Sequence, residues 1–334
     1  MNKQLGYKII LVLIVGVFAS VLTACTLSDT ETSTSPLEPV TLKLNWHHGI
    51  QFLGFYVAQD QGYYAEEGLA VTIEPLEGAA DSANLAMNLA AGEYDFATGT
   101  FSNIMQAFDE GERLVTISAV YQFNPTALFA RADSGIITPK DLAGRSIVIK
   151  NPNWQAFVEG LLEHAGLTLD DVEPVPGGFD MTPFFEGEVE VWAGFLTNEV
   201  IRARLQGIEL VTFPLHEYGI EISSTVILVS QASLADKPDR AVRFLRASLR
   251  GWEWAVENPT EAVDIMLESF PEKAAERDFH LASFDASIPL VRPPGIRVGT
   301  LDCEQWAGNE LLAELGPLEA YCTNTILSAV WGEN

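Results

Sequence analysis

The chain has 334 residues, 48% hydrophobic and 19% charged, which fits two packed domains and excludes a disordered polymer. Its 46 acidic residues face 19 basic ones, a net charge of −27 that argues against nucleic acid or anionic lipid headgroups as main partners. The three cysteines, Cys25, Cys303 and Cys322, lack the paired spacings of zinc sites, so no metal and no cofactor is expected.

At the N-terminus, Lys3 and Lys8 precede an uncharged apolar run over residues 9–24. That run is shorter than the roughly 20 residues of a spanning helix and has the size of a signal-peptide core. Leu22-Thr23-Ala24-Cys25 at its end resembles a bacterial lipobox, which implies a diacylated Cys25 as the new N-terminus. An uncleaved anchor is the alternative, and both put the protein on a membrane outside the cytoplasm. Residues 25–39 read as a lipid-anchored, solvated tether rich in Ser, Thr, Asp, Glu and Pro. Without residues 1–24 the chain keeps 17 basic and 46 acidic residues, a net of −29. Cys303 and Cys322 then sit in an oxidising setting, either bridged or as two unpaired buried thiols. A bridge would pin the C-terminal segment by roughly 3 kcal/mol.

The body alternates strand and helix patterns. Strands are expected at 40–44, 71–73, 95–98, 114–120, 146–149, 189–195 and 224–229. Helices are expected at 54–62, 82–91, through Ile104, Met105 and Phe108, at 155–164, and through Val200, Ile201 and Leu205. The remainder is mostly helical, at 238–256, 260–267 and near Trp306 and Ile326. The β-α-β rhythm predicts an α/β fold with mostly parallel sheets flanked by helices.

In open α/β sheets, ligands bind at the carboxyl ends of strands. Five clusters stand there: Asn45-Trp46-His47-His48, Gly99-Thr100-Phe101-Ser102-Asn103, Tyr121-Gln122-Phe123-Asn124, Asn151-Pro152-Asn153-Trp154 and Thr197-Asn198-Glu199. They combine aromatic faces with neutral hydrogen-bonding groups and contain no Lys or Arg. Such a lining suits a flat, mostly neutral heterocycle. Each cluster taken alone also fits ordinary capping and loop chemistry.

Leu44-Asn45-Trp46, Gly54-Phe55-Tyr56-Val57-Ala58 and Gly62-Tyr63-Tyr64-Ala65-Glu66-Glu67-Gly68-Leu69 together resemble the thiamine-pyrimidine-synthase-like branch of the type II periplasmic binding proteins. Asp141-Leu142-Ala143-Gly144-Arg145, Thr197-Asn198-Glu199 and Arg250-Gly251-Trp252-Glu253-Trp254-Ala255, followed by Asn258-Pro259, extend the likeness over roughly residues 40–265. The resemblance implies two α/β lobes joined by two crossover strands, with ligand in the cleft between them. Lobe I would hold residues 40–124 plus 222–334, and lobe II residues 125–221, with hinges near 123–126 and 220–223. It also implies a monomeric substrate-binding lipoprotein, membrane-bound through its anchor only, that delivers a small molecule to an ABC transporter permease.

The same branch contains pyrimidine synthases, which carry an Asp, a Lys four positions later and a His eight positions later. From Asp95 those places hold Gly99 and Asn103, and the region matching the synthases' cysteine-rich site, 221–230, has no cysteine. Neither residue supplies a Schiff-base amine or a ring nitrogen, so an enzyme is not expected. Binders of the thiamine pyrimidine precursor place a His six residues after the first Trp, where this chain has Phe52. Gln51-Phe52-Leu53-Gly54-Phe55-Tyr56 looks more like proteins proposed to bind riboflavin, which favours vitamin transport. Trp46, Phe52, Tyr121 and Trp154 would then stack on the ring system. Gln51, Gln122, Asn198 and Glu199 would read its polar edge or ribityl chain, and Asn45, Tyr56, Gly99, Thr100 and Asn151 would complete the ligand site. Alkanesulfonate or nitrate is disfavoured by the lack of a basic residue in this lining.

Three further features have two readings each. His47 and His48 point to opposite strand faces and make a poor metal pair. Glu199 is either a ligand acceptor or a helix N-terminal acid. Arg240, Arg243, Arg246 and Arg250 share one helix face, as a solvated stripe or as a docking stripe for a permease.

Overall fold

The computed structural model describes residues 36–220, 225–304 and 315–333. The signal segment, Cys25, most of the tether, the segment near Trp306 and part of the second expected hinge lie outside them. Among the described residues, no helix is long and apolar enough to cross a membrane.

The first half of the body contributes strands β1 (Glu38–Lys43), β2 (Leu69–Glu74), β3 (Phe96–Gly99) and β4 (Leu114–Ala119). Helices α1 (Leu53–Asp60), α2 (Tyr63–Glu66), α3 (Ala79–Ala90) and α4 (Phe101–Asp109) connect them. The chain then builds β5 (Thr126–Arg131), β6 (Ser146–Ile149), β7 (Glu173–Pro176), β8 (Val191–Phe195) and β9 (Leu210–Pro214). Helices α5 (Pro152–Ala165), α6 (Thr182–Phe185) and α7 (Glu199–Leu205) accompany these strands. After β10 (Val226–Ser230) the chain is helical: α8 (Gln231–Asp236), α9 (Pro238–Glu257), α10 (Pro259–Ser269), α11 (Arg277–Val291) and α12 (Thr325–Trp331).

Two five-stranded sheets result, ordered β2-β1-β3-β10-β4 and β7-β6-β8-β5-β9. Each is mixed rather than mostly parallel. β10 runs antiparallel between β3 and β4, and β5 runs antiparallel between β8 and β9. These two strands follow the passages between the sheets, and both enter an interior position. β5, β7 and β9 carry no clear alternation and escape a pattern search, because β5 is buried on both faces and β7 is short and proline-flanked.

In the second sheet, successive residues feed opposite cores. Leu128, Ile147, Val191 and Ala193 face one cluster, while Phe129, Val148 and Trp192 face the other. The first sheet packs into a single larger core dominated by α9. There α9 lies against α1 at two glycines: a Cβ on Gly54 would enter the Trp252 ring, and one on Gly251 would strike the Gly54 carbonyl and Ala58. The arginine face of α9 is neither free nor merely solvated. Arg240 pairs with Asp95, Arg243 with Glu38 at 2.6 Å and Asp239 at 2.7 Å, Arg246 with Glu67 at 2.8 Å, and Arg250 with Glu66.

Cys303 and Cys322 form a disulfide with Cα atoms 5.7 Å apart. The bridge stands beside the outer edge of β4, where Thr116 donates to the Tyr321 carbonyl at 2.9 Å and accepts from the Thr323 amide at 3.0 Å. The C-terminal segment thus covers an otherwise open sheet edge.

The α1–α9 contact leaves no room for added atoms. A Gly251→Val substitution is therefore expected to cost about 1–3 kcal/mol through overpacking. Urea unfolding measures this, and an unchanged midpoint would show that the two helices can separate freely.

Candidate ligand-binding cleft

A cleft of about 790 Å³ opens where the carboxyl ends of β1 and β8 face the start of α11. One wall carries Trp46, just past β1, and Glu276, Arg277 and Phe279. The other carries Phe179, Asp180 and Met181 from the β7–α6 loop, with Asn198, Glu199, Arg202 and Gln206 from the start and body of α7. Trp46 is 56% exposed and Phe179 68%, although both are large apolar rings. Exposed aromatic faces on opposite walls of a concave site mark a place where flat ligands stack.

Glu199 is the first residue of α7. One of its oxygens, Oε2, accepts the Phe195 amide at 2.9 Å, while Oε1 lies 3.4 Å from Lys150 Nζ. The two side chains are 8% and 0% exposed. They meet because Lys150 directly follows β6, which neighbours β8 in the sheet. Gly194 allows the fold-back, since a Cβ there would lie 2.9 Å from the Glu199 carboxyl carbon. The ammonium is roofed by Trp154, Phe179 and Trp192, with ring centroids at 4.0, 5.0 and 5.5 Å. Burial pulls the Lys150 pKa below 10.5, and the adjacent Glu199 carboxylate opposes that shift. Removing one member of such a pair leaves an uncompensated buried charge.

Arg202 spans the cleft. Its Nη1 lies 2.9 Å from Glu276 Oε1, its guanidinium stands 4.0 Å from the Phe279 ring, and its Nε donates to Asn198 Oδ1 at 3.2 Å. The Arg202 hydrogen bond holds the Glu276 carboxyl below the usual carboxylate range. Nearby, Ser283 Oγ donates to the Thr197 carbonyl. The charges are half exposed, so the pair contributes only about 0–1 kcal/mol.

The expectation that no basic residue stands in this region is overturned. Lys150 sits one residue before the Asn151 cluster, and Arg202 lies one helical turn beyond Asn198. Arg277 arrives from a helix distant in sequence. Reading strand ends one residue earlier, and following α7 by one turn, would have found the first two. Phe179, Met181 and the 275–279 wall carry no local signal.

Of the thirteen residues expected at the site, Trp46, Asn198 and Glu199 line this cleft. The other ten have structural partners or bury in a core. Asn45 Oδ1 accepts from Thr98 Oγ1 at 2.9 Å, which stitches β1 to β3. The Gln51 side chain folds over Gly49. Phe52 and Tyr56 lie in the first core, with the Tyr56 hydroxyl 3.0 Å from His48 Nδ1. His48 stacks on Phe270 at 4.2 Å, while His47 is exposed. Gly99 packs against Leu228 and Asn103, and the Thr100 amide donates to Asn103 Oδ1 at 3.0 Å at the start of α4. Tyr121 is buried, and Gln122 Nε2 donates to the carbonyls of Ala119 and Thr300, each at 3.0 Å. Asn151 caps α5, accepting from the amides of Asn153 at 3.0 Å and Trp154 at 3.2 Å. Trp154 is buried behind Lys150. Polar residues after strands cap the helices that follow, so a strand-end position alone does not make a binding residue.

The depressed Lys150 pKa carries a sign. Between that pKa and 10.5 the unfolded chain holds more protons than the folded one, so this lysine's contribution to stability becomes more favourable as pH rises through that window. The unfolding free energy of wild type minus Lys150→Met, measured by urea titration at stepped alkaline pH, should rise across it. A flat difference would show a lysine with an ordinary pKa.

Residues 49–262 match the model of the family described as NMT1/THI5 like. The riboflavin-binding protein RibY of Chloroflexus aurantiacus is 33% identical over 239 residues, covering 71% of this chain and 68% of that protein. A formylaminopyrimidine-binding protein of Halalkalibacterium halodurans is 25% identical over 307 residues, covering 90% and 91%. Among solved structures, the periplasmic aliphatic sulphonate binding protein SsuA of Escherichia coli superposes with a TM-score of 0.66 at 15% identity, covering 84% of this chain and 87% of that one. That likeness establishes the two-lobed α/β fold of periplasmic binding proteins. By sequence, the chain belongs to the NMT1/THI5-like family.

Proposed function

We propose that this chain is the extracytoplasmic solute-binding component of an ABC importer, anchored through Cys25, that closes on a flat aromatic heterocycle and hands it to a permease. Riboflavin is the favoured ligand. The observation that carries this reading is one cleft in which exposed Trp46 and Phe179 flank the Glu199 carboxylate. The named likeness to RibY, at 33% identity, supports it. Cleft volumes of this order hold drug-sized ligands, so an isoalloxazine with its ribityl chain is accommodated.

On this reading lobe I is residues 40–124 plus 222–334, and lobe II is residues 125–221. Trp46 comes from the first and Phe179 and Glu199 from the second. A ligand gripped by all three is bound better in the closed form and shifts the population toward it. Arg202 and Glu276, bonded across the cleft, would favour the same form. No catalytic step is required. Position 99 is glycine, packed close to the Leu228 and Asn103 side chains, and Asn103 is committed to the start of α4, so neither place carries a lysine or histidine.

A second reading is a thiamine pyrimidine precursor, supported by the likeness to the formylaminopyrimidine-binding protein over most of both chains. Sulfonate or nitrate is disfavoured on new grounds. Lys150, Arg202 and Arg277, though near the cleft, are each already paired with a carboxylate.

Titrating the detergent-solubilised protein into riboflavin should quench flavin fluorescence with a midpoint at micromolar protein or below. Trp46→Ala should weaken binding about tenfold through loss of one stacking face, without loss of stability, since the ring is mostly exposed. Absence of quenching at micromolar protein would sink the riboflavin reading, and calorimetry with formylaminopyrimidine would then decide the second.

A further inference from the structure

We infer that Lys150 and Glu199 act together as a donor–acceptor pair that reads a lactam edge, a ring carbonyl next to a ring N–H; this rests on the heterocycle reading above. Glu199 lines the cleft, and among the described residues each of its oxygens has a single hydrogen-bond partner: Oε1 the ammonium, Oε2 the Phe195 amide. A carboxylate offers about four acceptor sites, so capacity remains for a ligand N–H. Lys150 has three donors, of which the Glu199 contact at 3.4 Å engages one. The faces of Trp154, Phe179 and Trp192 also stand around the ammonium. Those faces attract a cation but accept no full hydrogen bond.

Phe179 belongs both to this cage and to the lining of the cleft. It is 68% exposed and stands on the loop between β7 and α6, so a ring entering the cleft can displace it and take its place over the ammonium. The ligand carbonyl then accepts from Lys150 Nζ while its N–H donates to Glu199. The pair is neutral as a whole. It therefore favours a neutral ligand that supplies an acceptor and a donor side by side over an anion, which would meet the carboxylate. Leaving either buried charge unmatched is costly, and that cost makes the discrimination sharp.

The test compares riboflavin with 3-methylriboflavin, which keeps the tricycle and both carbonyls but lacks the lactam N–H. Wild-type protein should bind riboflavin about tenfold or more tighter by fluorescence quenching. The double variant Lys150→Met, Glu199→Gln removes both charges without stranding either, and should discriminate less than about twofold. Equal wild-type affinity for the two flavins would overturn the inference, as would full discrimination in the folded double variant. The wild-type comparison needs no variant, so a double variant that failed to fold would not spoil it. A wild type that ignored riboflavin but bound 1-methylthymine in preference to 1,3-dimethylthymine, by calorimetry, would remove the flavin reading and support the lactam pair. Binding of neither pair would overturn both.

Discussion

Each sheet of this protein is completed by a strand inserted at an interior position after the chain has crossed between sheets. β10, which follows the whole second sheet in sequence, separates β3 from β4, and β5 separates β8 from β9. The first sheet is therefore built from two stretches of chain separated by the whole second sheet. The two bodies stay tied by two passages, and everything that faces the space between them depends on that tie. Trp46 and Phe279 reach the same cleft as Phe179 and Glu199 for this reason, although long stretches of chain separate them.

The electrostatics follow from scarcity. With 19 basic residues against 46 acidic ones, almost every arginine finds a carboxylate close by. The four on α9 bind acids at the start of β1, on α2, before β3 and on α9 itself. They brace the first lobe rather than present a positive stripe. The same logic governs the cleft, where positive charge is present but already matched. An acidic protein can thus keep cations in and beside a cleft with each of them matched by a carboxylate.

Within that site the chemistry is divided between faces and one buried pair. Aromatic rings supply sequence-tolerant stacking, which any flat heterocycle can use. Glu199 and Lys150, largely withdrawn from water, would supply the direction-dependent part on the proposed reading, because buried polar groups strongly prefer a matching partner. The roof over Lys150 and the lining of the cleft share one residue, Phe179.

Local patterns in the sequence determined much of this protein. The β-α rhythm, the strands from β1 to β4, β6, β8 and β10, and the long amphipathic α9 are all legible from periodicity and from glycine and proline punctuation. That Trp46, Asn198 and Glu199 stand at strand ends was legible as well, and the structure places all three in the lining of one cleft. The tertiary structure decided the rest. Strand-end polar groups such as Asn45, Thr100 and Asn151 satisfy nearby hydroxyls and amides, and Phe52, Tyr56, Tyr121 and Trp154 are drawn into cores. Lys150 meets Glu199 only because β6 lies beside β8, and 276–279 reach the cleft only because α11 meets α7. Neighbourhood across a sheet or a cleft is a property of the packed chain, and no single-segment pattern encodes it.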